Sequence, residues 1–87
     1  MPINTIIDKE ILGSLARGGS KATYVIRNSL DWPDKPLHNT GLTTSKVLRA
    51  CRRLERLGYI EQEHRTSYLV MKVWKITPRG ESVLEAL

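Results

Sequence analysis

The sequence predicts one α+β domain made of three helices, a two-stranded β-hairpin and a short C-terminal helix. Three observations predict it. Apolar residues recur at helical spacing in three successive segments ahead of Gly58. Two runs rich in β-branched and aromatic residues follow, separated by the polar stretch "HRTS". The chain then closes through "TPRGE", where a threonine before a proline opens a helix.

The first helix is expected from Thr5, with Thr5 as cap and Asp8 three residues on as the capping-box acid. Ile7, Ile11, Leu12 and Leu15 form its apolar stripe, and Gly18-Gly19 ends it. Ser20 is the expected cap of a second helix over Lys21–Leu30, whose inner face is Ala22, Val25, Ile26 and Leu30. "DWPDKPLHNTG" reads as a loop by its prolines, aspartates, Asn39 and Gly41. A connection this long needs an apolar anchor, and Trp32 and Leu37 are the two candidates. Trp32 reads more readily as that anchor than as an exposed contact residue.

The third helix is expected from a cap at Thr43 or Thr44 to Leu57, stopped by Gly58. At 100° per residue, Val47, Leu48, Ala50, Cys51, Leu54 and Leu57 occupy one half of the helical wheel. Lys46, Arg49, Arg52, Arg53 and Arg56 fall within about 120° on the other side. Tyr59–Glu63 and Tyr68–Ile76 are the expected strands, with Trp74 and Ile76 on one inward face. Thr77 caps the last helix, Pro78 takes its first position, and Val83, Leu84 and Leu87 are its apolar residues.

Charge is unevenly placed. The 87 residues carry 14 basic and 9 acidic side chains, net +5, with a pI near 9.7. Thr43–Leu57 holds five of the basic residues and one acid, Glu55, so +4 of the +5 lies on one helix. An ordinary solvated face mixes signs at i,i+4 spacing, and this one does not. A cationic ridge on a helix whose other face is core suits double-stranded DNA. The major groove admits one α-helix, with phosphates on either side of it. Thr43, Thr44, Ser45, Lys46 and Arg49 are the residues expected in the groove, and Arg52, Arg53 and Arg56 the ones expected at phosphates. At the hairpin tip, His64, Arg65, Thr66 and Ser67 suit a flanking phosphate or the minor groove. Lys72 and Lys75 on the return strand fit either phosphate contact or protection of a sheet edge.

Other chemistries lack support in the sequence. There is no phosphate-cradling glycine loop, nucleophile motif or Cys/His metal spacing, so no enzyme activity, no cofactor and no metal are expected. Cys51 falls on the apolar side of its helix and reads as a small buried hydrophobe. A single cysteine, the absence of an 18-residue apolar run and an N-terminus without a signal-peptide pattern lead to the expectation of one cytoplasmic domain spanning 1–87, with no membrane partner. The basic helix cannot insert in a membrane because its apolar side is needed for the core.

The stretch "LTTSKVLRACRRLERLGYIEQ" followed by "VWKITPRGESVL" resembles the winged helix-turn-helix superfamily, most closely the MarR-type and PadR-type bacterial regulators. The shared features are a Ser/Thr-rich helix start, "rLErlGyI", a hairpin wing, and a close formed here by Trp74, Ile76, Thr77 and Gly80. The resemblance implies that Thr43–Leu57 is a recognition helix and Glu61–Lys72 a wing. It also implies a small regulator of transcription of the kind found in prokaryotes and their phages, acting by occupying or organising DNA. Two features depart from the pattern. The loop Asp31–Leu42 is much longer than the usual tight turn, and the long flanking dimerisation helices of the MarR type are not in the sequence. A homodimer is expected because one such domain on one half-site binds weakly. No small-molecule effector is expected, since there is no separate domain to hold one. The alternative reading is a winged-helix protein–protein interaction module of a larger complex, with the basic ridge on an acidic partner and Trp32 as anchor.

Overall fold

The computed structural model describes residues 6–63 and 72–87. Its elements run α1 (Ile6–Gly18), β1 (Lys21–Ala22), α2 (Thr23–Leu30), α3 (Thr44–Arg56), β2 (Ile60–Gln62), β3 (Val73–Ile76) and α4 (Pro78–Glu85). The α+β class and the helix order match the sequence reading. Thr5, His64–Ser67 and the start of the expected return strand lie outside the described residues.

Ile11, Leu12 and Leu15 of α1 are buried against Ile26 and Leu30 of α2 and Val47, Ala50, Cys51 and Leu54 of α3. Tyr59, Ile60 and Trp74 complete the core from the sheet side. α1 ends as expected: Gly19 takes φ +79°, and its N–H donates to the Leu15 carbonyl at 3.0 Å.

The start of α2 differs from expectation. Ser20 caps nothing here, because Lys21 and Ala22 form a third strand that pairs antiparallel with β3. The sheet order is β1-β3-β2, with Lys21 opposite Trp74 and Ala22 opposite Val73. The Thr23 N–H continues the ladder to the Lys72 carbonyl at 3.3 Å, and the Trp74 indole N–H donates to the Thr23 hydroxyl at 2.9 Å. A buried indole N–H needs an acceptor. The chain therefore stays extended to Ala22, and α2 begins at Thr23 without a side-chain cap.

β2 and β3 pair with Ile60 opposite Ile76, Glu61 opposite Lys75 and Gln62 opposite Trp74. Tyr59 lies just before β2 and is buried. Thr77 and Pro78 open α4 as expected, and Thr77 Oγ1 accepts the Gly80 N–H at 3.0 Å. Val83 and Leu84 pack on the core, but α4 ends at Glu85, which leaves Leu87 46% exposed rather than on an inner face.

The α2–α3 loop is built around Asp31. Its carboxylate accepts the Asn39 N–H at 3.1 Å and pairs with Arg27 at 3.0 Å and with His38 at 3.3 Å. The Asn39 hydrogen bond, with the Arg27 and His38 charges, outweighs desolvation and holds the Asp31 carboxyl below its usual range. Leu37 packs against the core and is the loop's anchor, together with buried Leu42. Trp32 is not the anchor: it is 61% exposed.

Candidate nucleic-acid interface

α3 carries the candidate interface. Its sequence makes it a helix for ordinary reasons. Thr43 Oγ1 accepts the Lys46 N–H at 3.2 Å as N-cap, and Gly58, at φ +81°, lets the chain turn out of the last turn. Val47, Cys51 and Leu54 are fully buried, which fixes the rotation of the helix about its axis. That rotation leaves Thr43, Thr44, Ser45, Lys46, Arg49, Arg52 and Arg56 exposed. The structure thus brings seven of the ten expected site residues onto one solvent-facing surface. Lys46 also donates to the Gly41 carbonyl at 3.2 Å, which ties the first turn of α3 to the end of the loop.

The other three fall elsewhere. Arg53 leans off the ridge into an ion pair with Asp8 of α1, whose side chain is 0% exposed. Its side chain stays 38% exposed, but its orientation is set by that carboxylate. Lys72 is half-buried at the entry to β3, where its carbonyl serves the β1 ladder. Arg65 lies outside the described residues. Lys75 pairs with Glu61 across the hairpin at 3.3 Å. Glu55, the one acid of the helix, accepts from Gln62 Nε2 at 3.2 Å beside the sheet.

Two residues that position the interface were not singled out from the sequence. Asp8 was expected as a capping-box acid for Thr5, which lies outside the described residues; its carboxylate also reaches across to Arg53 of α3. Arg27 donates from Nε to the Leu42 carbonyl at 3.1 Å and so links α2 to the chain entering α3. An arginine four residues before an aspartate was the only sequence signal for it, and that spacing is common on helices.

Among the described residues no group of His, Cys, Asp and Glu is placed to hold a metal ion, and no helix is long and apolar enough to cross a membrane. Cys51 is buried as expected. Desolvation, reinforced by the charges of Asp8 and Glu55, pushes its thiol up to about 12. Its alkylation by iodoacetamide at neutral pH should therefore proceed only through unfolding and should accelerate in step with denaturant. A rate in buffer equal to that of a free thiol would place Cys51 at the surface.

No family model matches the chain, and no curated protein matches it. Solved structures do share its fold. A PadR family transcription regulator from Clostridium difficile superimposes with a TM-score of 0.76 at 19% identity, over 94% of this chain and 82% of that one. The zinc-responsive MarR family member ZitR of Lactococcus lactis gives 0.74 at 17% identity, over 95% of this chain and 50% of that one. A structure of a point mutant of ZitR in complex with DNA gives 0.72 at 16% identity, over 98% and 51%. The fold is that of the winged helix-turn-helix regulators. The chain spans about half the length of the MarR-family structures it matches.

Proposed function

We propose that the chain is a double-stranded DNA-binding regulator of transcription that sets α3 in the major groove and its wing on the flanking backbone. One observation carries this reading. The buried face of α3 fixes the helix so that Lys46, Arg49, Arg52 and Arg56 all stand on its exposed side, with Glu55 turned away to Gln62. A helix oriented by its core presents these cations without reorganisation when it meets phosphate.

The roles follow from position. Thr43, Thr44, Ser45, Lys46 and Arg49 stand on the first turns and reach base edges or the nearest phosphates; Arg52 and Arg56, further along, meet phosphates. Lys72, at the entry to β3, would follow the flanking backbone, and the same role is proposed for Arg65, which lies outside the described residues. Arg53 is given a positioning role instead, because Asp8 holds it. The likeness to a regulator solved with DNA supports the reading at the level of fold. Binding as a homodimer on a two-fold site completes it, since a single small domain buries little DNA surface.

The test is selection from random duplexes with the purified chain, followed by titration of the winner and a scramble at two salt concentrations. The expected result is an enriched site bound about 10³-fold or more above the scramble. With four ridge cations per subunit, log K should fall against log[salt] with a slope of about −3 to −4 for each subunit bound. Arg49→Ala should cost about 1–3 kcal/mol and relax discrimination at one base pair, while Arg56→Ala should weaken all duplexes alike and reduce the slope by about 1. No retention of any duplex at low salt would sink the reading and leave the ridge to an acidic protein partner.

A further inference from the structure

A pocket of about 450 Å³ opens between the last turn of α1, the start of β1, the end of α2 and the first turn of the loop that follows. No residue of α3 lines it. Arg17, Lys21 and Lys35 bring three cations to it, while its two hydroxyls are spent within the protein: Ser29 donates to the Ile26 carbonyl at 2.9 Å, and Ser14 lies 3.0 Å from the Ser29 oxygen. Asp34 is the one acid in the lining, so the pocket carries two net positive charges. Trp32 lines its rim at 61% exposure, on the same turn as Lys35, whose N–H donates to the Trp32 carbonyl at 2.9 Å.

The cations are held in place by small residues. A Cβ at Gly18 would collide with the Lys21 ammonium, and one at Gly13 would lie 3.0 Å from the Arg17 guanidinium. Both glycines leave backbone surface that the cationic heads occupy. Lys21 Nζ also donates to the Ser14 carbonyl at 2.6 Å. Burial, and then the charge of Arg17, lowers the Lys21 pKa. Two cations set against each other are favoured by an anion between them. An exposed indole beside that anion site offers a flat face for a ring.

We infer that this pocket binds a mononucleotide, with the phosphate among Arg17, Lys21 and Lys35 and the base on the Trp32 ring. A phosphate suits the site better than a carboxylate, because three cations can serve its several oxygens and its second charge. The volume falls within the roughly 300–1,000 Å³ of small-molecule sites. No effector was expected from the sequence because no separate domain was there to hold one. This pocket lies inside the helical domain itself, where that reasoning does not reach. The inference stands whether or not α3 reads DNA.

The experiment is calorimetric titration of the full chain with AMP, alongside adenosine and inorganic phosphate. AMP should bind saturably at one site, with each part alone much weaker. Lys21→Gln and Trp32→Ala should each weaken AMP about tenfold, the loss of one charge-assisted contact or one stacked ring. Gly18→Ala should do the same by displacing only the flexible end of Lys21, with an unchanged far-ultraviolet spectrum to show that the fold is intact. Arg49→Ala should leave AMP binding as it was. Absence of saturation by about 1 mM would overturn the inference. So would equal AMP affinity in all three pocket variants, a loss in Arg49→Ala as large as theirs, or phosphate alone binding as tightly as AMP.

Discussion

Gly80→Ala should lower the melting temperature by roughly 10 °C or more, the largest effect expected of any single methyl group in this protein. Gly80 is buried at the start of α4, and a Cβ there would run into the Tyr59 carbonyl and come within 2.8 Å of Ile76 Cγ1. The carbonyl cannot swing away, because it accepts the Thr77 N–H at 3.0 Å. Thr77 in turn donates its hydroxyl to the Gly58 carbonyl at 2.7 Å while accepting the Gly80 N–H at 3.0 Å. Overpacking of this kind costs about 1–3 kcal/mol or more, and a domain of this size shifts by about 4–8 °C for each kcal/mol. Thr77→Val keeps the shape but removes both hydroxyl bonds, and should cost about 1–2 kcal/mol. Thermal melts followed by circular dichroism would check both. An unchanged midpoint for Gly80→Ala would mean that α4 does not sit against the α3–β2 turn as described.

This junction gives a physical meaning to the Thr-x-x-Gly spacing that was legible in the sequence as a pattern. The threonine ties the end of α3 to the start of α4, and the glycine permits the approach. The third helix was legible for a related reason. Its core and its ridge both lie within fifteen residues of sequence, so local periodicity contains the whole answer. What was not legible depends on distant partners. β1 is two residues long, too short for an alternating signal, and exists because Val73 and Trp74 pair with it. Asp31 is the centre of its loop because a main-chain N–H eight residues later meets its carboxylate. Trp32 and Leu37 looked equally able to anchor that loop. Hydropathy says which residues favour burial, and only the closure of the turns decides which one reaches the core.

Arg53 shows the same division between local pattern and tertiary choice. On the helical wheel it stands about 60° from buried Ala50, nearest of the arginines to the buried residues of α3, which is why α1 can claim it. Arg53→Ala should cost about 1–3 kcal/mol of stability, since it removes a charged hydrogen-bond partner of the buried Asp8 carboxylate. Arg52→Ala, on the exposed side, should cost about 0.5 kcal/mol or less. For DNA the order should reverse: Arg52→Ala should lower the salt slope by about 1, and Arg53→Ala should leave it unaltered wherever the protein is folded. Replacing both partners, as Asp8→Leu with Arg53→Met, should recover most of the stability lost by Arg53→Ala alone, because no charge is then left buried. Denaturant titrations of the two single variants and the pair would measure that coupling. Additive losses would mean that Asp8 and Arg53 act independently, and Arg53 would then return to the ridge as a fifth contact for phosphate.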